Sequence, residues 1–250
     1  MSISRFDDTE RAWAISAELR RKLLAALSDP DECRPMMTYE EFLDWLDEDT
    51  LAEWVDGKVI MASPASTRHQ RIATFLLRVL SSFVELHDLG EVFAPPFQMK
   101  LERTRSGREP DVLYVASAHM DRVKATYLDG PADIVVEVIS PESIGRDRGD
   151  KFYEYQKAGI PEYWLIDPET ERAEFYELNT KGAYQFIELD AEGIYHSHIV
   201  LGFWLRVAWL WEDRLPSVDD TMLAVGGAAY AHQMIARLRR DGFLNNSGGE

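Results

Sequence analysis

A glutamate inside an apolar run is the most informative residue of this sequence. Glu137 lies between Ile134-Val-Val and Val138-Ile139, a pattern typical of a strand that is buried on both faces. An ionised carboxylate there costs several kcal/mol unless a metal ion, a basic side chain or a bound proton compensates it. The alternative is that Glu137 ends the strand and either reaches solvent or pairs with one arginine.

A second carboxylate opens another apolar strand, predicted over 111–116. Proline is tolerated at the first residue of a strand, so Pro110 indicates that Asp111 lies near its beginning. If this strand neighbours the one that carries Glu137, the two carboxylates converge. Paired carboxylates, with a backbone carbonyl and waters, are how proteins hold Mg²⁺. Taken alone, Asp111 is equally consistent with a turn or a helix cap.

A basic partner follows on the next helix, predicted over 147–158 and ended by Gly159. Asp147, Lys151 and Tyr155 are spaced i, i+4 and i+8, which places them on one helical face. Because this helix comes directly after the strand of Glu137, that face can turn Lys151 towards the carboxylates. The alternative is a surface pair of Asp147 with Lys151, contributing about 0.3–0.5 kcal/mol, or a capping role for Asp147.

The elements that must position these residues are predicted to form an α/β fold, or α+β, with a mixed sheet flanked by helices. Thr38 and Glu41 form a capping box that begins a short helix. Asp56-Gly57 is typical of a two-residue turn, here within a hairpin over 51–62. A long helix is expected from Ser66 to about His87. Strands are expected near 91–101, 111–116, 134–139, 163–166, 172–178 and 183–189.

The predicted organisation has three parts. Residues 1–35 are an N-terminal helical extension with an amphipathic helix over 9–28, residues 36–212 form one domain, and residues 213–250 are a C-terminal helix and flexible tail. That helix is expected over 217–240. The apolar, aromatic-rich stretch 203–211 predicts a partial interface, and hence a homodimer.

Composition limits the class of protein. The 250 residues are 46% hydrophobic and 28% charged, as in an ordinary soluble globular protein. No apolar run approaches the roughly 18 residues of a membrane span, and the N-terminus has no signal-peptide pattern, so a cytoplasmic location is expected. The single cysteine, Cys33, excludes an internal disulfide and a multi-cysteine zinc site. A net charge of −17 argues against a general nucleic-acid coat but permits a nuclease with a local basic patch.

Pro110-Asp111 followed by Glu137 in a buried strand resembles the PD-(D/E)XK nuclease superfamily. In the usual pattern a lysine stands two residues after the second carboxylate, where this chain has Ile139. The stretch 131–168 is similar to a bacterial branch, the Uma-type family of restriction-endonuclease-like proteins. In that family the catalytic lysine lies on the following helix, and Lys151 is the matching position.

The resemblance covers about residues 36–212 and implies a restriction-endonuclease-like core with N- and C-terminal helical extensions. It implies that Asp111, Glu137 and the carbonyl of Val138 hold Mg²⁺ or Mn²⁺ for hydrolysis of DNA phosphodiester bonds. Lys151 would orient the attacking water or stabilise charge on the phosphoryl oxygens, and burial would lower its pKa towards that of a general base. Glu53, in the first strand of the hairpin, is a further catalytic candidate.

Weaker candidates for contacts with substrate are Tyr155, Arg108 and Arg146. The wider set of arginines near the site is a candidate basic patch: Arg103, Arg105, Arg108, Arg146 and Arg148. Packing explains a half-buried tyrosine equally well, and loop arginines are often only solvated. His69 is interpreted as a structural histidine. Two other functions stay open: a catalytically inactive binding or assembly module, favoured by Ile139 and the acidic net charge, and a hydrolase of a substrate other than DNA.

Overall fold

A computed structural model describes residues 36–47, 50–62 and 64–244. The predicted N-terminal extension with its helix over 9–28, Cys33, and the tail beyond Leu244 lie outside these residues. The described helices are α1 (Tyr39–Trp45), α2 (Thr67–His87), α3 (Phe152–Ala158), α4 (Val218–Val225) and α5 (Gly227–Arg240). The strands are β1 (Ala52–Val55), β2 (Lys58–Met61), β3 (Gly90–Phe93), β4 (Gln98–Leu101), β5 (Ser106–Arg108), β6 (Val112–Ala116), β7 (Tyr127–Asp129), β8 (Ile134–Val138), β9 (Glu162–Asp167), β10 (Arg172–Leu178), β11 (Tyr184–Ile187), β12 (Ile194–His196) and β13 (Trp204–Arg206).

A six-stranded mixed sheet, in the order β11-β10-β9-β8-β6-β3, forms the centre of the fold. Strand β8 is buried along its whole length, as its apolar run predicts. It pairs in parallel with β9 and antiparallel with β6. A parallel pair needs a crossover connection, and the segment containing α3 supplies it. The mixed sheet flanked by helices confirms the predicted fold class.

Two hydrophobic cores cover the two faces of this sheet. On one face, α2 packs its apolar stripe, including Ile72 and Leu76, against alternate residues of the central strands such as Val136. On the other face, Val135 packs with Tyr155 of the α3 segment and with Met99 of β4. Alternation along β8 therefore points residues 135 and 137 towards α3, because successive side chains of a strand face opposite ways.

A second sheet has five strands in the order β2-β1-β5-β4-β7. The predicted hairpin is formed by β1 and β2, with Asp56 (φ 48°) and Gly57 (φ 84°) in the turn between them. Positive φ at both turn residues is the requirement of a type I′ turn, which Asp-Gly meets. The predicted capping box of Thr38 and Glu41 is confirmed at the start of α1.

Three predicted elements are divided in the structure. The helix expected over 147–158 begins as a π-helical turn, Arg146–Lys151, and continues as α3. The strand expected near 91–101 is split into β3 and β4 by Pro95-Pro96, because proline cannot donate to the strand ladder. The helix expected over 217–240 is two helices, since Gly227 adopts a left-handed φ of 53° where they meet.

The aromatic stretch 203–211 lies mostly inside the fold rather than on an interface. Phe203 and Leu205 are buried in the core on the α2 face, and Trp204, Trp209 and Trp211 pack partly buried against it. The tryptophans of this stretch keep part of their surface exposed, and the homodimer stays a prediction. In the part of the chain that the structure describes, no helix is long and apolar enough to cross a membrane.

Candidate metal centre

The register of β6 and β8 brings the two predicted carboxylates together. Val112 pairs with Val136 at the end of this antiparallel ladder, so Asp111, the residue just before β6, follows at the position next to Glu137. Residues opposite each other in an antiparallel pair project from the same face with Cβ atoms about 4.5–5.5 Å apart. The backbone N–H of Val138 donates to Oδ2 of Asp111 at 2.7 Å, which orients that carboxylate.

Lys151 lies among three carboxylates. Its Nζ is 2.9 Å from Oε1 of Glu137, 3.0 Å from Oε1 of Glu53 and 3.4 Å from Oδ1 of Asp147. The lysine and all three acids are buried. The hydroxyl of Tyr155 also donates to Oε1 of Glu137, at 2.6 Å. The structure thus places Glu53, Glu137 and Lys151 in direct contact, next to Asp111.

The expected lowering of the lysine pKa is wrong. Burial alone would lower the pKa of Lys151, but the charges of Glu137, Glu53 and Asp147 outweigh it and raise that pKa. An ammonium so stabilised keeps its protons at neutral pH. In these surroundings Lys151 is a positive charge and a hydrogen-bond donor, whereas a general base would need a lowered pKa.

The carboxylates around Lys151 differ in how readily they ionise. Burial raises the pKa of Glu137, and the charges of Asp147, Asp111 and Glu53 add to this against the opposing effect of Lys151. Burial also acts on Glu53, but Lys151 and Arg108 hold its pKa well below the usual range. Burial and the neighbouring carboxylates therefore make the charge of Glu137 more costly than that of Glu53, and Lys151 offsets part of that cost.

The arginines expected to form a basic patch are mostly paired with acids. Arg108 is buried and donates to Glu53 at 2.8 Å and to both carboxylate oxygens of Glu154. Arg105 pairs with Asp56 at 3.2 Å, and Arg148 pairs with Glu174 and Asp167. Of the three residues proposed for substrate contacts, only Arg146 lines the cavity described below; Arg108 and Tyr155 lie behind it. Three of the five arginines are therefore neutralised by acids, and Arg146 is the member of the set that lines the cavity.

Two side chains lie beside these carboxylates although sequence reasoning had not placed them there, His69 and Glu109, and a third, Asp147, had been placed on the face of Lys151. Nε2 of His69, at the start of α2, lies 3.2 Å from Oδ2 of Asp111. Burial opposes the imidazolium, but the hydrogen bond and charge of Asp111 raise the pKa of His69. Burial also raises the pKa of Glu109 to about 7. Asp147 is buried beside Lys151 and makes no capping hydrogen bond, so its interpretation as a helix cap is wrong.

One signal for these residues was present in the sequence. Glu109 stands two positions before Asp111, the spacing of side chains on one face of an extended segment. His69 has no such signal, because its approach to Asp111 depends on how α2 crosses the end of the sheet.

Lys151, His69 and the acidic side chains of the site line one cavity of about 490 Å³, whereas Arg108 and Tyr155 do not line it. Among the described residues that line it, five are acidic and two are permanently cationic. The acids are Glu53, Glu109, Asp111, Glu137 and Asp147, and the cations are Arg146 and Lys151. An excess of negative charge in a partly enclosed space raises the local concentration of cations.

Residues 39–208 match the family model of Uma2, described as "Putative restriction endonuclease". The chain belongs to the Uma2 family. Two uncharacterised proteins of Synechocystis are similar to it. One is 27% identical over 145 residues, 57% of this chain and 81% of the relative. The other is 24% identical over 159 residues, 63% of this chain and 82% of the relative.

A solved structure shares the fold of this Uma2 chain. It is the crystal structure of "a putative nuclease belonging to DUF820" from Anabaena variabilis, with a TM-score of 0.59 and 19% identity. The match covers 70% of this chain and 97% of that chain. Likeness at this identity establishes the fold alone. Together, the family and the fold confirm the predicted resemblance to restriction-endonuclease-like proteins.

The oxygen atoms of this Uma2 site fit a hard divalent cation. No group of three or more acidic, histidine or cysteine side chains suited to a metal occurs within 36–47, 50–62 and 64–244. Mg²⁺, however, commonly binds one or two carboxylates and keeps several waters. Lys151 and Tyr155 both contact Oε1 of Glu137, and Val138 and His69 both contact Oδ2 of Asp111. Each carboxylate therefore keeps its other oxygen clear of hydrogen bonds from the described residues.

Proposed function

We propose that this protein is a metal-dependent endodeoxyribonuclease that hydrolyses phosphodiester bonds of DNA. Asp111, Glu137 and the carbonyl of Val138 would hold Mg²⁺ or Mn²⁺, and Lys151 would assist the attacking water. The observation that carries the proposal is that Asp111, just before β6, lies next to Glu137 of the adjacent strand β8, with Nζ of Lys151 2.9 Å from the second carboxylate. The description of the Uma2 family and the name of the Anabaena neighbour as a nuclease agree with it.

The charge of the cavity supports the requirement for a cation. A phosphodiester is an anion, and the ionised carboxylates among the five acidic residues that line the cavity would repel it. A bound divalent ion would supply the positive charge that polarises the phosphate and acidifies a bound water. The raised pKa of Glu137 fits the same requirement, because a carboxylate whose charge is costly gains most from a cation beside it.

The surrounding residues hold this arrangement in place. The N–H of Val138 orients Asp111, and the hydroxyl of Tyr155 fixes Glu137. Glu53 binds both Lys151 and Arg108, so it is a second anchor of the ammonium besides Glu137. The ammonium is then positioned to donate to the water or to a phosphoryl oxygen on which negative charge develops. Such preorganised donors are a large part of catalysis in sites of this kind.

Cleavage of DNA in the presence of Mg²⁺ or Mn²⁺ tests the proposal. We expect Asp111→Asn and Glu137→Gln each to reduce the cleavage rate by about a hundredfold or more, as loss of a metal ligand would. Glu85→Gln, an exposed acid on α2, is the matched control and should cleave normally. A chelator should stop cleavage by the wild type. Undiminished cleavage by Glu137→Gln would refute the assignment.

A further inference from the structure

The cavity of the candidate metal centre has an apolar side as well as an acidic one. Its apolar lining comes from the end of β2, the residues that flank the hairpin, and the turn before β4. We call this lining the hairpin wall: Leu51, Ile60, Met61, Ala62, Pro64 and Pro95. Leu51 and Met61 are 46% and 38% exposed, so the wall presents apolar surface to whatever enters.

The hairpin wall and the carboxylates line the same cavity, so a ligand that fills the cavity would contact both. In a nucleic acid, the groups next to a phosphodiester are the sugars and their bases. A duplex keeps its bases stacked and paired inside, and it presents mainly phosphates and sugars to a protein surface. The hairpin wall lies close to the position expected for the reacting phosphate. A base can contact this wall only if that base is unpaired or has been extruded from the duplex.

The charge of the protein also favours a single strand over a duplex. Binding of a duplex is driven by cationic side chains that neutralise phosphates on a densely charged helix, and a single strand carries about half that charge per unit length. This chain has a net charge of −17, and Arg105, Arg108 and Arg148 are paired with acids. Arg146 and Lys151 are the cations of the cavity lining in the described part of the chain. Two cations suit a short unpaired segment better than a duplex.

The volume is consistent with this occupant. About 490 Å³ lies within the range of pockets that enclose small ligands, and a nucleotide is of that size class. A duplex is much wider and would reach the carboxylates only with a nucleotide extruded from it.

We propose that the substrate of this site is unpaired DNA, with the base beside the scissile phosphate lying against the hairpin wall. This inference rests on the proposed nuclease function and specifies its substrate. Hydrophobic burial of the base on Leu51 and Met61 then supplies binding energy that the few cations do not.

Separate measurements of binding and cleavage test the proposed preference for unpaired DNA. Fluorescence anisotropy with Ca²⁺ compares a short labelled single strand with the duplex of the same sequence, and we expect the single strand to bind at least about tenfold more tightly. Met61→Ser and Leu51→Ser should each weaken binding of the single strand by about three- to tenfold. Leu201→Ser, a control at a residue 77% exposed and outside the cavity lining, should have no effect. An unchanged Mn²⁺-dependent rise in melting temperature shows that the metal site of each variant is intact.

The outcomes separate this inference from the nuclease proposal. Equal or tighter binding of the duplex, binding of neither form, or unchanged binding by Met61→Ser would each overturn the inference. Cleavage of the duplex at least as fast as the single strand would overturn it too, while upholding the nuclease. Preferential binding of the single strand without any cleavage would uphold the choice of ligand and refute the nuclease.

Discussion

Lys151 reaches the acidic cluster from a helix, although the usual pattern places the lysine on the strand itself. A lysine two residues after Glu137 would project from the same face of β8, since side chains of a strand alternate. Ile139 occupies that position and is buried in the core that packs on α3. The π-helical turn before α3 instead brings the ammonium back to within 2.9 Å of Glu137. Either position delivers a positive charge to the same carboxylate.

Replacement of Lys151 by methionine should be strongly destabilising. It removes the partner of three buried acids, and loss of one member of a buried ion pair typically costs about 3–5 kcal/mol. Urea denaturation at neutral pH should show a loss in the free energy of unfolding of this size. Lys181→Met, at an exposed position, should stay within about 0.5 kcal/mol of the wild type.

The difference in free energy of unfolding between the wild type and Lys151→Met should become smaller at acid pH. The folded-state pKa of Glu53 is lowered by Lys151 and Arg108, so its stabilisation is present above the unfolded pKa and is lost as pH falls through the folded one. When Glu53 is protonated at acid pH, the wild type loses the stabilising Glu53–Lys151 ion pair, which the variant does not have at any pH. A deficit that grows as the pH falls would contradict this account of the cluster.

Two local elements set the geometry of the site: the β1–β2 hairpin carries Glu53, and the register of β6 with β8 aligns Asp111 with Glu137. The hairpin and the two strands were predictable because the signals are local, namely an Asp-Gly turn and apolar runs, whereas the pairing of β6 with β8 could only be assumed. The partners of Arg108 and the approach of His69 were not predictable, because they depend on residues distant in sequence. The π-helical turn has no recognised local pattern and was expected to be α-helical.

Gly57→Ala tests how far the turn controls this geometry. Gly57 has a φ of 84°, and an added Cβ would lie 3.0 Å from the side chain of Met36. A left-handed conformation costs a residue with a Cβ about 1–2 kcal/mol, so we expect a loss of that size in the free energy of unfolding. Gly145→Ala is the control, because Gly145 has helical dihedrals and nothing within 4 Å of its added Cβ. It should be neutral or stabilise by up to about 1 kcal/mol.

The net charge of −17 determines the long-range electrostatic interaction between the whole protein and a polyanion such as DNA. Long-range repulsion slows the approach of DNA at low ionic strength, and salt screens it over a Debye length of about 10 Å at 0.1 M. With Mn²⁺ fixed and substrate far below saturation, the cleavage rate should therefore rise as salt increases from very low values to about 0.1 M. A steep fall over the same range, as for proteins with many phosphate contacts, would indicate a basic binding face.

Calorimetric titration of Mn²⁺ into the purified protein tests most directly whether Asp111 and Glu137 share one cation. The site described above predicts a single Mn²⁺ per chain. Asp111→Asn and Glu137→Gln should each weaken its binding by about tenfold or more, while Glu85→Gln leaves it unchanged. If Mn²⁺ binds both site variants as tightly as the wild type, or binds none of the proteins, the two carboxylates do not form a metal centre.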